Sequence, residues 1–201
     1  MDDDQVELSN LPRQVVYDTG DVGRLKTDAA KKHLLALNPN VRVEAFTKTF
    51  SSKNAEAIAG GYHILVDGTD NLPTRYVIND LCALTSRPFI YGAVARFEGQ
   101  MALFDPHTGP CYRCAFGDPP SGEHISETLD SGVFGVLPGL VGMLQAAATL
   151  KLILGIGENL PGQMVLVNSL DFCLELVAVE RDKDCKICGE NPQITELSDP
   201  L

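Results

Sequence analysis

At 201 residues, 44% hydrophobic and 21% charged, the chain has the composition of a folded globular domain. It is not that of a disordered segment, and the length is short for two full domains. The formal net charge of −11, with no Lys/Arg cluster longer than a pair, argues against unassisted binding to nucleic acid or to an anionic membrane. No run of about 18 or more apolar residues occurs, and Met1-Asp2-Asp3-Asp4 is the opposite of a signal peptide's basic start, so a cytoplasmic protein with no membrane partner is expected.

In chain order, residues 26–37 (KTDAAKKHLLAL) have helical spacing and end at the helix-stopping Asn38-Pro39-Asn40. Residues 41–46 alternate apolar and polar side chains and predict a half-buried strand; a short helix follows between Asn54 and Ala59. His63 to Gly68 reads as a buried parallel strand, Leu72 to Thr85 as a helix and Phe89 to Val94 as the next strand. That order predicts an α/β, doubly wound Rossmann-like sheet.

From residue 100 the pattern changes to antiparallel strands: Gln100 to Phe104, then Met164 to Leu170 and Cys173 to Glu180. Between them lie a Gly/Pro-rich stretch at 115–131, expected to be a crossing loop, and a long apolar helix from Leu137 to Leu154. Residues 1–201 read as one domain that is N-terminally incomplete. The strand, glycine-rich turn and helix that normally open such a sheet are missing, and Asp2-Asp3-Asp4 reads as the acidic end of a second strand.

Six cysteines are too few for a disulfide scaffold. Cys111-Tyr-Arg-Cys114 and Cys185-Lys-Ile-Cys188 are two C-x-x-C knuckles, each followed closely by a glycine. Each pair can present two thiolates to one tetrahedral ion, and two pairs complete a closed structural Zn2+ site. The alternative is a redox disulfide. Cys82 and Cys173 lie in apolar segments and are expected as buried core thiols.

The first 26 residues carry carboxylates, an amide, a guanidinium and an ammonium, a set that suits a nucleoside triphosphate. Arg13 and Lys26 can neutralise phosphate oxygens, Asn10 can donate to them, Asp2 sits where a ribose is met, and Asp70, beyond a parallel strand's end, can hold Mg2+. The competing reading makes Asp70 the cap of the following helix and leaves Arg13 and Lys26 as solvated charges.

The motifs DDDxVELSNLxRQ, Gly23-x-x-Lys26, DGTDNxxTRYxIND at 67–80, YGAVARFEGQ at 91–100, both knuckles and GVFGVLPGLVGMLQA at 132–146 occur in one order. Together they resemble the ThiF/MoeB-type adenylyltransferases of the molybdopterin-synthase and thiamine-thiazole pathways, which are related to ubiquitin-activating enzymes. The tail ENPQITEL at 190–197 is similar to the molybdopterin-synthase branch.

The resemblance implies a homodimer that uses ATP and Mg2+ to adenylate the C-terminal glycine of a ubiquitin-like sulfur-carrier protein, releasing pyrophosphate. It assigns Asp2 to the ribose, Asn10, Arg13 and Lys26 to the phosphates, and Asp70 to magnesium. Three departures stand out. The glycine-rich phosphate loop and the upstream arginine-bearing helix are missing, and Thr128 stands where many members place a cysteine, so no thioester step is expected. Two other classes compete: a carrier-binding module that has lost nucleotide binding, and a dinucleotide-dependent oxidoreductase, against which the missing glycine fingerprint speaks.

Overall fold

Why the first fifty residues hold together is explained by one backbone pairing and one helix. The computed structural model describes residues 1–120, 132–158 and 161–200; these form two compact units, Met1–Phe50 and Ser51–Leu201. The expectations for residues 121–131, Thr128 included, lie outside the described residues.

In the first unit, helix α1 (Lys26–Leu37) occupies the predicted span and closes with the Asn38 N–H donating to the Leu34 carbonyl at 2.9 Å. Just before it, the chain folds back on its own start. Val6 N–H donates to Arg24 O (2.8 Å), Gly23 N–H to Val6 O (2.9 Å) and Lys26 N–H to Asp4 O (2.9 Å). Gly23 has φ +84°, which glycine adopts without a Cβ penalty.

The strand predicted at 41–46 does not form. A strand needs a neighbour's donors and acceptors as well as alternation. Among the described residues of this unit no ladder forms along it; its end is tied by Asp2 N–H to Phe46 O at 3.2 Å and, one residue on, by the Thr27 and Thr47 hydroxyls at 2.8 Å.

The second unit holds a five-stranded sheet in the order β1 (Leu65–Val66), β2 (Phe89–Ala95), β3 (Glu98–Phe104), β4 (Gln163–Asn168), β5 (Cys173–Ala178). Its helices are α2 (Ala55–Ala59), α3 (Leu72–Thr85), α4 (Tyr112–Phe116) and α5 (Leu137–Leu154). The expected strand–helix–strand unit is β1–α3–β2, whose strands pair in parallel; β2 to β5 pair antiparallel. The mixed α/β class is therefore as the sequence indicates. β1 is far shorter than predicted, because its ladder ends where the Asp67 N–H bonds Ile90 O at 2.9 Å and the carboxylate takes over as a turn organiser.

The β2–β3 hairpin turns at Arg96-Phe97, without the glycine that such turns favour. Arg96 takes φ +51°, held by its N–H to Gly132 O (3.1 Å) and by Phe134 N–H to its carbonyl (2.8 Å). Cys173 is not a core thiol: it is half-buried at the start of edge strand β5, whereas Cys82 is buried as expected, and burial pushes its pKa up to about 12.

Period-two alternation divides β2 and β3 between two layers. Phe89, Tyr91 and Phe104 meet Tyr112, with Phe89–Phe104 centroids 5.9 Å apart and Tyr91–Tyr112 centroids 5.3 Å apart. Gly92, Val94, Gly99 and Met101 face α5. A Cβ at Gly92 would lie 2.4 Å from the Gln145 amide and one at Gly99 would lie 2.6 Å from Val141, so these two glycines let the helix seat on the sheet. Leu137, Val141 and Gln145 are α5's buried residues. By length and composition α5 is the one helix among the described residues that could cross a membrane; its Leu140, Met143, Leu150, Ile153 and Leu154 are exposed.

Candidate functional site

The knuckles are brought together within the second unit. Cys111 Sγ lies 3.8 Å from Cys114 Sγ and 3.6 Å from Cys185 Sγ, and Cys114 Sγ lies 3.4 Å from Cys188 Sγ. All four sulfurs fall within 4.8 Å of one another. Sulfurs on a tetrahedral ion at about 2.3 Å are about 3.8 Å apart, whereas a disulfide needs about 2.05 Å. The spacing fits one metal ion, and all four thiols are free.

Packed without a cation, four thiols cannot ionise alike. Hydrogen bonds from Cys114 and Cys185 push Cys111 far above the usual thiol range, and those from Cys111, Cys114 and Cys188 pull Cys185 far below it. A bound cation would deprotonate them together.

The cluster is walled by Ala83, Ile187 and Ile194. In the second knuckle, Gly189 is required. A Cβ there would come within 2.5 Å of both Lys183 O and Cys185 O. Arg181 adds a fork, with Nε and Nη2 donating to Cys188 O at 3.0 and 2.5 Å.

The residues inside the first knuckle fasten it to α3. Tyr112 N–H donates to Asn79 Oδ1 at 2.8 Å, and Arg113 grips the buried Asp80 carboxylate through Nε and Nη2 at 2.8 and 2.7 Å. Arg113 Nη1 also reaches Asp118 at 3.0 Å, which Lys186 of the second knuckle contacts in turn. Sequence reasoning missed this network. Asn79, Asp80, Tyr112, Arg113 and Lys186 stood in the quoted motifs as marks of likeness without assigned roles, and Asp118 stood in none.

In the first unit, the backbone pairing of residues 4–6 with 23–26 brings Asp2 and Lys26 together. Lys26 Nζ lies 2.7 Å from Asp4 Oδ2 and 3.8 Å from Asp2 Oδ2, with only 11% of its side chain exposed. Lys26 is thus no solvated charge. Burial works against its ammonium, but the Asp4 hydrogen bond and the Asp2 charge outweigh that and raise its pKa. Asn10 is buried and accepts from Glu7 N–H at 3.0 Å, closing the turn from which Arg13 emerges. Arg13 is exposed and donates to Ser9 O at 2.9 Å.

Asp70 belongs to the second unit, in the turn between β1 and α3. It does not cap α3; Asn71 does, accepting from Thr74 N–H at 3.0 Å. Asp70 is exposed, and among the described residues its carboxylate has no hydrogen-bond or ion-pair partner. An open carboxylate beyond a parallel strand's end fits Mg2+, which is commonly held by one or two carboxylates, waters and substrate phosphates.

Comparison with known proteins follows the same lines. The family model described as ThiF family matches residues 1–187. A sulfur carrier protein adenylyltransferase of Thermus thermophilus is 46% identical over 98% of this chain and 74% of the relative. A SAMP-activating enzyme E1 of Haloferax volcanii is 41% identical over 94% of this chain and 70% of the relative. An adenylyltransferase and sulfurtransferase MOCS3 of Culex quinquefasciatus is 38% identical over 99% of this chain, which spans 46% of that relative. Among solved structures, E. coli MccB with MccA-N7isoASN superposes with a TM-score of 0.80 at 23% identity, over 94% of this chain and 58% of that one, a likeness of fold.

Proposed function

The chain belongs to the ThiF family, and from that premise we propose that it adenylates the C-terminal glycine of a small ubiquitin-like sulfur-carrier protein, using ATP and Mg2+, in molybdenum cofactor biosynthesis. The observation that carries the reading is the 46% identity over 98% of the chain to a protein named a sulfur carrier protein adenylyltransferase. The 190–197 tail favours the molybdopterin-synthase type of carrier.

Asp2 is assigned to the ribose hydroxyls, Asn10, Arg13 and Lys26 to the phosphates, and Asp70 to the metal. The nucleophile is the carrier's terminal carboxylate, which is already ionised at neutral pH and needs no general base. Its oxygen bonds the α-phosphorus; the bond from that phosphorus to the bridging oxygen breaks, and pyrophosphate leaves with the electron pair. A carboxylate approaching a polyanion is repelled, and Arg13 and Lys26 offset that repulsion and stabilise the charge on the leaving group. Magnesium, when bound, adds a second compensation of the same charge.

The four cysteines are proposed to hold one structural Zn2+ with no open coordination position. The exposed apolar side chains of α5 favour a second copy of the chain as partner, giving a homodimer.

Carrier-dependent exchange of labelled pyrophosphate into ATP tests the reading. Wild type should exchange with a molybdopterin-type carrier, and Asp70→Ala should lose exchange while keeping its unfolding midpoint. Exchange only with a thiazole-type carrier would reassign the pathway, and unchanged exchange in Asp70→Ala would remove that carboxylate from the site.

A further inference from the structure

Asp70 is exposed and, among the described residues, without a partner, yet the turn that bears it is held from three sides. The Asp67 carboxylate, completely buried, accepts from the Thr69 N–H (2.8 Å) and the Thr69 hydroxyl (2.6 Å) through Oδ1. Its Oδ2 accepts from Arg75 Nε at 2.8 Å, and Arg75 Nη2 then donates to Thr69 O at 2.6 Å. One guanidinium on α3 therefore bridges a side chain and a backbone carbonyl of the turn. Its own plane is located by Tyr91 of β2, with Cζ 5.1 Å from the ring centroid.

Behind the turn, Gln145 of α5 donates from Nε2 to Asp67 O at 2.7 Å and to Ile90 O at 3.2 Å. That fixes the point where the chain leaves β1. At the other end, Asn71 pins the start of α3.

We propose that Arg75 is a positioning residue for divalent-cation binding: by joining Asp67 to Thr69 it fixes the 67–71 turn, and so the place at which the Asp70 carboxylate meets the metal. Gln145 supports the same turn from α5. The assignment deepens the adenylation reading, since it rests on Asp70 as the metal carboxylate. A lysine can keep the charge opposite Asp67, but a single ammonium does not reproduce two directed bonds to separate acceptors along a planar edge. A displacement of about 1 Å at a ligand is enough to cost a large factor in rate.

Two measurements on the full chain test this, with Arg75→Lys as the conservative variant and Gln145→Met as a second that leaves the ion pair whole. The first is amide hydrogen exchange of residues 67–72 at matched unfolding midpoints. Faster exchange confined to that turn is expected in both variants, more in Arg75→Lys. The second is the Mg2+ concentration for half-maximal pyrophosphate exchange. We expect a rise of about tenfold in Arg75→Lys and about threefold in Gln145→Met, restored by excess Mg2+, with the carrier KM unchanged.

Turn exchange identical to wild type, or a rate loss that no Mg2+ concentration restores, overturns the assignment. If the wild-type chain shows no pyrophosphate exchange at all, the adenylation reading fails. Hydrogen exchange, with added Mn2+ slowing the turn in wild type and not in Arg75→Lys, then decides the positioning role by itself; equal Mn2+ slowing in both refutes it.

Discussion

The cysteine cluster and the Asp2–Lys26 cluster both gather charge, but they are built in opposite ways. The four sulfurs are fixed by directed contacts: the buried Asp80–Arg113 pair behind one knuckle, and the half-buried Gly189 with the exposed Arg181 fork behind the other. Lys26, by contrast, is held by carboxylates at the chain's start, of which Asp4 is 68% exposed. Its charge is already neutralised locally, so an anionic ligand must exchange with Asp4 before Lys26 serves it. Four thiolates that complete a closed set suit an ion that stays, while exchangeable ion pairs suit a ligand that comes and goes.

The contrast is broken most severely at the cysteines. Cys185→Ser, or chelation of bound metal, should destabilise the second unit by several kcal/mol, since structural zinc contributes folding free energy of about 10–16 kcal/mol in zinc-finger peptides. Native mass spectrometry should find one zinc per chain in wild type, and denaturant unfolding should register the loss. Next comes the wall behind the knuckle. Arg113→Ala leaves the Asp80 carboxylate buried and unpaired, a change that costs about 3–5 kcal/mol. Urea unfolding measures it, and a loss below about 1 kcal/mol would mean the ion pair does not anchor the knuckle.

At the other cluster the effect should fall on binding. Lys26→Met should weaken ATP binding by about ten- to a hundredfold, equivalent to about 1.4–2.8 kcal/mol, while stability changes by less than about 1 kcal/mol. Calorimetric titration separates the two quantities. Asp4→Asn should leave ATP affinity the same or slightly higher, because it releases Lys26.

Much of this was legible in sequence. The span of α1 followed from spacing and a stop signal, that of α3 from its place between two strands and that of α5 from its apolar run, and two C-x-x-C pairs named the four sulfurs that meet. What sequence could not convey was which polar motif residues act on substrate and which act on their neighbours. Asp67, Arg75, Asn79, Asp80 and Gln145 look like surface-compatible polar residues in a string, and only packing reveals that all five are buried. Residues 41–46 failed for the opposite reason: alternation is local, but strand pairing is not. Asp70 and Asn71 were separable only by the hydrogen bond that makes Asn71 the cap.

The smallest effect concerns pH. The Asp18 N–H, followed by His33, lowers the pKa of the Asp21 carboxyl from its ordinary 3.8 despite burial. A depressed folded-state value means that its stabilisation is complete above about pH 4 and is lost as pH falls through the lower folded value. Asp21→Asn should therefore flatten the acid limb of the unfolding-midpoint profile for the first unit, by lowering the midpoint at neutral pH toward its acid value.

Weighing the carrier reads its adenylation without an intermediary. Incubated with the full chain and magnesium-ATP, a ubiquitin-like carrier ending in a free glycine should gain the mass of one AMP less one water, with one pyrophosphate released. A carrier whose terminal carboxylate is amidated should not. An unmodified free-glycine carrier, in a mixture where the chain binds both ATP and carrier, would contradict the account.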